Sequence, residues 1–216
     1  QYTLEDYFSL IDSVDHLLEK ENHLIYIPKG KILIVGDLHG DLETLEKILE
    51  KFFKEKFDYL LFLGDYVDRG AKQVEVINTL FYYKTHFPSK IILIRGNHED
   101  RTINRQYGFY DELRHKFYDH HKEIFNRYNK AFSKLPLAAI TWNRIFCIHG
   151  GIPEGLEDIN VINSFPKNQI TIKDSMTKQL LWNDPYERGG MFKRNSRGVG
   201  IKKFGKTAFM NFITLN

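Results

Sequence analysis

The sequence predicts an α/β protein in which mixed β-sheets, built on a β-α-β-α-β core, are flanked by further helices. Short apolar runs rich in β-branched residues alternate with longer segments in which apolar residues recur every three or four positions. This alternation is typical of parallel strands joined by helical crossovers. The chain has 216 residues, of which 42% are hydrophobic, so we expect one catalytic domain over residues 1–216 with a substantial core.

The first predicted element is an amphipathic helix over residues 3–20. Thr3 and Asp6 have the spacing of a capping box, and the apolar residues that follow share one face of the helix. A short strand over residues 24–28 comes next. It ends at Pro28, which has no backbone N–H to continue a ladder.

The core consists of three apolar runs and the two amphipathic segments between them. The runs read as buried parallel strands, because they are nearly continuous in apolar residues. Asp41 is the expected N-cap of the first crossover helix. The predicted strands are 31–35, 58–63 and 90–94, and the predicted helices are 41–53 and 72–86.

The second half of the chain begins with a helical stretch whose aromatic residues we expect to pack in the core or to line a cleft. A pair of strands follows, then a loop-rich segment with several Pro and Gly residues, then a strand and a helix. In order, these elements are 101–134, the strands 137–141 and 144–148, the loop-rich segment 151–190, the strand 199–204 and the helix 206–213.

Composition excludes several classes of protein. A charged fraction of 27% with a net charge of +3 is ordinary for a folded domain. It does not indicate the strongly basic surface of a nucleic-acid-binding protein. No apolar run approaches the roughly 20 residues of a membrane span. The single cysteine, Cys147, allows no disulfide within the chain, and the N-terminus has no signal-peptide pattern, so we expect a cytoplasmic location. The absence of an initiator Met suggests a processed or trimmed chain.

Four short strings carry residues that bind metal ions or phosphate. They are GDLHG at residues 36–40, GDYVDRG at 64–70, GNHE at 96–99 and HGG at 149–151. Each lies at the end of an apolar run. Together they supply carboxylate, imidazole and amide ligands for two metal ions, with one histidine and one arginine to spare. Metal-assisted hydrolysis of a phosphate ester needs such a set.

The spacing of the strings agrees with the predicted strands. Asp65 follows Asp37 by 28 residues, and Asn97 follows Asp65 by 32 residues, close to the length of one βαβ unit. Each unit therefore delivers one ligand to the carboxyl edge of the sheet, where open α/β sheets bind ligands. Taken one at a time, these residues could also be helix caps, turn residues or parts of surface ion pairs. The joint pattern favours a metal site.

The four strings resemble those of the metal-dependent Ser/Thr phosphoprotein phosphatases, which have the calcineurin-like metallophosphoesterase fold. The resemblance extends to further segments over nearly the whole chain. They are YGFYDEL at 107–113, LPLAA at 135–139, IFCIHGGI at 145–152, LLWNDP at 180–185 and NSRGVG at 195–200. The resemblance implies hydrolysis of phosphoserine and phosphothreonine monoesters by a hydroxide activated between two metals. Manganese is the first choice, with iron or zinc as alternatives.

The resemblance also implies a role for each site residue. Asp37 and His39 would bind the first metal, Asp65 would bridge both, and Asn97 and His149 would bind the second. A further set would act on the substrate. His98 would be the general acid, Asp68 would orient it, Arg69 and Arg197 would clamp the phosphoryl oxygens, and Asp184 would support the site. The implied partners are a phosphorylated protein or peptide substrate and regulatory protein subunits, with no nucleic acid and no membrane.

One departure from the family stands at the C-terminal end. Members carry a further histidine ligand to the second metal, but no histidine follows His149 here. We therefore expect the chain to be C-terminally incomplete relative to the family, with a weaker second metal site. Two other functions stay open. One is a phosphoesterase for nucleotides or dinucleoside polyphosphates, and the other is a truncated phosphate-binding or interaction module.

Basic residues gather near the end of the chain. Two interpretations stay open: a solvated face, or a surface that attracts acidic phosphopeptides. The residues are Arg188, Lys193, Arg194, Arg197, Lys202, Lys203 and Lys206.

Overall fold

The computed structural model describes residues 3–216 and contains the predicted mixture of helices and mixed sheets. The predicted domain also takes in residues 1 and 2, which lie outside the described part. The helices are α1 Leu4–Glu19, α2 Leu42–Lys54, α3 Gln73–His86, α4 Arg101–Asn104, α5 Phe109–Phe117, α6 His121–Phe132, α7 Ser175–Trp182 and α8 Lys206–Leu215. The strands are β1 Leu24–Ile27, β2 Ile32–Val35, β3 Tyr59–Phe62, β4 Ile91–Leu93, β5 Ala138–Thr141, β6 Phe146–Ile148, β7 Asp184–Pro185, β8 Phe192–Arg194 and β9 Lys202–Phe204.

Three small sheets organise the strands. The β2-β3-β4 sheet is parallel throughout, as the β-α-β-α-β pattern predicted. In the second sheet β1 pairs with β5 in parallel, and β5 pairs with β6 antiparallel. The third sheet has the order β7-β9-β8, with β9 parallel to β7 and antiparallel to β8. The carboxyl ends of β2, β3, β4 and β6 carry the four motif loops.

The largest cluster of buried apolar residues lies among α1, α2, α3, α5 and α6 and one face of the β2-β3-β4 sheet. The aromatic residues of the helical stretch contribute to it, as expected, and Phe109, Tyr128 and Phe132 are fully buried. At the start of α1, the Asp6 N–H donates to Thr3 Oγ1 and the Thr3 N–H donates to the Asp6 carboxylate, which confirms the capping box. The predicted cap Asp41 accepts a hydrogen bond from the Thr44 N–H.

The structure adds one helix to the loop-rich segment 151–190 and corrects one prediction. The added helix is α7, whose N-cap Asp174 accepts from the Thr177 N–H. Its eight residues lie in a stretch rich in Pro and Gly, which obscured the helical period. Strand β2 is only partly buried, with Ile34 39% exposed, because it forms an edge of its sheet. Within residues 3–216, no helix combines the length and apolar character that crossing a membrane would require.

Candidate metal centre and phosphate-binding cavity

The loops after β2, β3, β4 and β6 meet in one place. The backbone N–H groups of Leu38 and His39 both donate to the Asp65 carbonyl oxygen, at 3.0 and 2.9 Å, which joins the first two loops. Gly64 and Gly96 join the second loop to the third. A Cβ on Gly64 would lie 2.3 Å from the Gly96 nitrogen, so only glycine allows the two backbones to approach this closely.

Several side chains at this meeting point stand on left-handed backbone, which is costly for residues other than glycine. The φ angles are 44° at His39, 56° at Asp65, 71° at Asp68 and 68° at Arg69. Each residue in this backbone conformation costs of order 1–3 kcal/mol, and such backbone strain is concentrated at functional sites. The tertiary fold therefore holds these four residues in backbone conformations that their local sequence does not favour.

Two groups of potential ligands share Asp65. One consists of His39, Asp65 and His98, the other of Asp37, Asp65 and His149, and within each group the ligand atoms lie within 4.8 Å of one another. Asp65 turns one oxygen toward each group, because Oδ2 is 3.5 Å from His39 Nε2 and Oδ1 is 3.3 Å from His149 Nε2. A carboxylate in this position has the geometry to bridge two cations. The structure thus brings together all the side chains predicted as ligands.

The tautomers of two histidines suit metal binding. His39 Nδ1 lies 2.8 Å from the Val67 carbonyl oxygen, and His149 Nδ1 lies 2.9 Å from that of Leu63. A carbonyl only accepts, so each Nδ1 carries the proton and each Nε2 offers a lone pair. Metal-binding histidines typically donate their other N–H in this way. Burial, the largest influence, lowers the pKa of both rings and favours the neutral form.

Two further observations indicate that these donor atoms suit a bound cation. His39 Nε2 is buried and has no hydrogen-bond partner among residues 3–216. Asn97 Oδ1 lies 2.7 Å from His149 Nε2, so an acceptor faces a lone pair. Either the Asn97 amide turns its nitrogen to donate to His149 and Asp65, or a cation binds to the acceptors that converge there. The mixed oxygen and nitrogen donors suit manganese, iron or zinc.

His98 is held differently from the other two histidines. Its Nδ1 lies 2.6 Å from Asp68 Oδ2, and Asp68 is fully buried. Its Nε2 lies 3.1 Å from Arg69 Nη2. A guanidinium at that distance would repel a cation bound to Nε2, so His98 suits proton transfer better than metal binding. Burial, the largest single influence, would lower the pKa of His98, but the Asp68 hydrogen bond and the charges of Asp68, Asp65 and Glu99 together raise it.

A small polar cavity of about 220 Å³ opens over the convergence point. The predicted ligands Asp37, Asp65, Asn97 and His149 line it together with both predicted phosphate clamps, Arg69 and Arg197. Asp184 also lines the cavity and positions one clamp, since its Oδ2 accepts from Arg197 Nε at 2.7 Å. A second hydrogen bond to Asp184 comes from Asn195 Nδ2 at 2.8 Å.

The comparison with known families agrees with this geometry. The family model described as calcineurin-like phosphoesterase matches residues 30–204. The chain belongs to the calcineurin-like phosphoesterase family. A solved structure of a protein serine/threonine phosphatase from Saccharomyces cerevisiae, described as similar to human phosphatase PP5, superposes with a TM-score of 0.85 at 29% identity. It covers 99% of this chain and 68% of that chain, and it confirms the predicted fold class.

Two relatives by sequence carry the resemblance to Ser/Thr phosphatases. A probable serine/threonine-protein phosphatase of Encephalitozoon cuniculi is 36% identical over 214 residues, which are 99% of this chain and 46% of that protein. The serine/threonine-protein phosphatase 4 catalytic subunit of Kluyveromyces lactis is 34% identical over 209 residues, 97% of this chain and 66% of that protein. The chain thus spans about half of the first relative and just under two thirds of the second.

Glu99, the last residue of the GNHE string, was not predicted as a site residue. Its carboxylate is fully buried and accepts three backbone hydrogen bonds, from Asp65 N and Tyr66 N at 2.8 Å each and from Gly96 N at 2.9 Å. Glu99 therefore joins the second motif loop to the third. Burial and the Asp65 charge raise the pKa of Glu99, and the N–H donors oppose them. An acidic residue directly after the predicted general acid His98 was the available signal.

Tyr107 was also missed as a site residue. Its carbonyl oxygen accepts the Arg69 N–H at 2.9 Å, and its ring meets the His98 ring edge-on, with centroids 5.5 Å apart. The Tyr107 ring is exposed on its other side, so it lies beside His98 at the surface of the protein.

Proposed function

We propose that this chain is a metal-dependent protein phosphatase that hydrolyses phosphoserine and phosphothreonine monoesters. One observation carries the proposal: a histidine held by a buried aspartate lies beside a cluster of convergent acceptors, and Arg69 and Arg197 line the same cavity. The relatives support the substrate class, because both named proteins are serine/threonine phosphatases.

The proposed ligand assignment keeps Asp65 as the shared residue. The Asp37 carboxylate groups with Asp65 and His149, and its Oδ2 also lies 4.0 Å from His39 Nε2. Asp37, His39 and Asp65 would hold one divalent cation, and Asp65, Asn97 and His149 would hold the other. Manganese is our first choice. Divalent cations bound there supply positive charge that neutralises the phosphoryl oxygens and lowers the pKa of water.

The remaining groups act on the substrate directly. Arg69 and Arg197 bind phosphoryl oxygens, because a guanidinium matches them with two parallel N–H donors. When Arg69 turns to the phosphate, His98 Nε2 loses its hydrogen-bond partner and is free to carry a proton. Asp68 keeps Nδ1–H in place and stabilises the imidazolium. His98 then donates the Nε2 proton to the departing serine or threonine oxygen.

Several broader expectations belong to this proposal. They are a single catalytic domain over residues 1–216, regulatory protein subunits and a cytoplasmic location.

The test is phosphate release from a phosphoserine peptide by purified chain with Mn²⁺. We expect His98→Asn to lower the rate by about 10²–10⁴-fold, the usual contribution of general acid catalysis. His120→Asn, at an exposed histidine, is the matched control and should match the parent chain. Equal rates for the two variants would refute the role of His98. Faster cleavage of a dinucleoside polyphosphate would favour that substrate instead, and Mn²⁺ binding with no turnover would favour a binding module.

A further inference from the structure

The β7-β9-β8 sheet carries a row of charged residues that begins at the cavity. Asp184 in β7 lies opposite Lys203 in β9, and Lys203 lies opposite Lys193 in β8. Residues paired across strands project from the same face of a sheet. Asp184 lines the cavity, so the row leads outward from it, with Lys203 first and Lys193 second.

Within the described part of the chain, neither lysine of this row lies at ion-pair distance from an acidic side chain, and Lys203 acts on the Asp184 carboxylate only at longer range. The two lysines lie directly opposite each other, and like charges in that arrangement repel. The Asp184 carboxylate is already engaged by Arg197 Nε at 2.7 Å. On the other face of the same hairpin, by contrast, Lys202 pairs with Glu154 at 3.1 Å. Among the described residues, that face therefore balances one of its two cations, since Arg194 opposite Lys202 forms no ion pair, whereas the face that continues from the cavity balances neither lysine.

Packing gives Lys193 a defined position. Its Nζ lies 3.8 Å from the centroid of the Tyr186 ring. Tyr186 follows two residues after Asp184, on the same face, and its N–H donates to the Phe204 carbonyl oxygen at 3.0 Å. A cation held over an aromatic ring loses less freedom when it binds an anion than a fully mobile lysine does.

The dimensions of the row fit an extended peptide. Adjacent strands lie about 4.8 Å apart, so Lys193 is about 10 Å from the cavity edge at Asp184. An extended peptide advances roughly 3.3 Å per residue, so this distance corresponds to about three residues. We propose that the Lys203–Lys193 row binds an acidic side chain about three residues from the phosphorylated residue and so selects acidic phosphopeptides. This inference rests on the proposed phosphatase function and names its substrate class.

The experiment uses three phosphoserine peptides of otherwise identical sequence: one with Asp three residues before the phosphoserine, one with Asp three residues after it, and one with Asn at both places. We expect kcat/KM to be about three- to tenfold higher for at least one acidic peptide, as surface ion pairs allow. In the double variant Lys193→Gln/Lys203→Gln this ratio should fall to about one. The preference should also weaken as salt is added.

The control is the double variant Lys54→Gln/Lys122→Gln, which removes the same charge from exposed positions on α2 and α6. It should keep the acidic preference of the parent chain. An unchanged ratio in Lys193→Gln/Lys203→Gln, with the fold intact by circular dichroism, would overturn the inference and leave a solvated basic face.

If no peptide is cleaved, the proposed function fails. Fluorescence anisotropy of the same labelled peptides then decides the inference, because equal affinities for acidic and neutral peptides would refute it.

Discussion

Glu99 offers the sharpest test of how the motif loops are held together. In Glu99→Gln, one carboxylate oxygen becomes an NH₂ group. The better orientation keeps the carbonyl oxygen on the N–H groups of Asp65 and Gly96, and places the NH₂ against the Tyr66 N–H. Two buried donors then face each other with no acceptor. Each unsatisfied buried group costs about 1–3 kcal/mol, so we expect a loss of about 2–6 kcal/mol in the free energy of unfolding.

Urea unfolding followed by far-UV circular dichroism measures this loss. The control is Glu46→Gln, the same substitution at an exposed position on α2, which should change the free energy of unfolding by less than about 0.5 kcal/mol. Because Glu99 also sets the separation of Asp65 and Gly96, we expect weaker Mn²⁺ binding in Glu99→Gln. If both variants unfold at the same urea concentration with the same slope, the three hydrogen bonds do not stabilise the fold as described.

Three further predictions concern the histidines. Replacing Asp68 with Asn removes the charge that orients and stabilises protonated His98, so kcat should fall by about 10²-fold or more while KM changes little; an equal change in both would point to substrate binding instead. Replacing His39 with Gln should weaken Mn²⁺ binding by at least about tenfold in calorimetry, and an unchanged affinity would remove His39 from the ligand set. Burial, followed by nearby positive charges, lowers the pKa of His23 to about 4 from 6.5. Between these pH values His23 binds more protons in the unfolded state, so His23 should contribute a fall of about 3 kcal/mol in the free energy of unfolding from pH 7 to 4. Urea titrations at several pH values should show that His23→Gln lacks this contribution.

Much of the fold was predictable from local patterns. The β-α-β-α-β half has strong periodicities, and its helices and strands lie within one or two residues of their expected bounds. Helix α7 was missed because a short helix between prolines leaves too few turns for a periodic signal. Strand β8 was missed for a related reason, since its three residues, Phe192–Arg194, gain strand geometry only by pairing with β9. The partial exposure of β2 follows from its edge position, which depends on the order of strands.

The sequence by itself determined which residues could form a metal and phosphate site, because the motif strings and their spacing depend on the chain alone. Only the tertiary structure decided how those residues act. The Val67 and Leu63 carbonyls select the tautomers of His39 and His149, and the Arg69 guanidinium beside His98 Nε2 disfavours a cation on that nitrogen. These contacts join residues that are far apart in the chain. Such hydrogen bonds depend on the relative positions of the loops in space, which no local pattern of residues encodes.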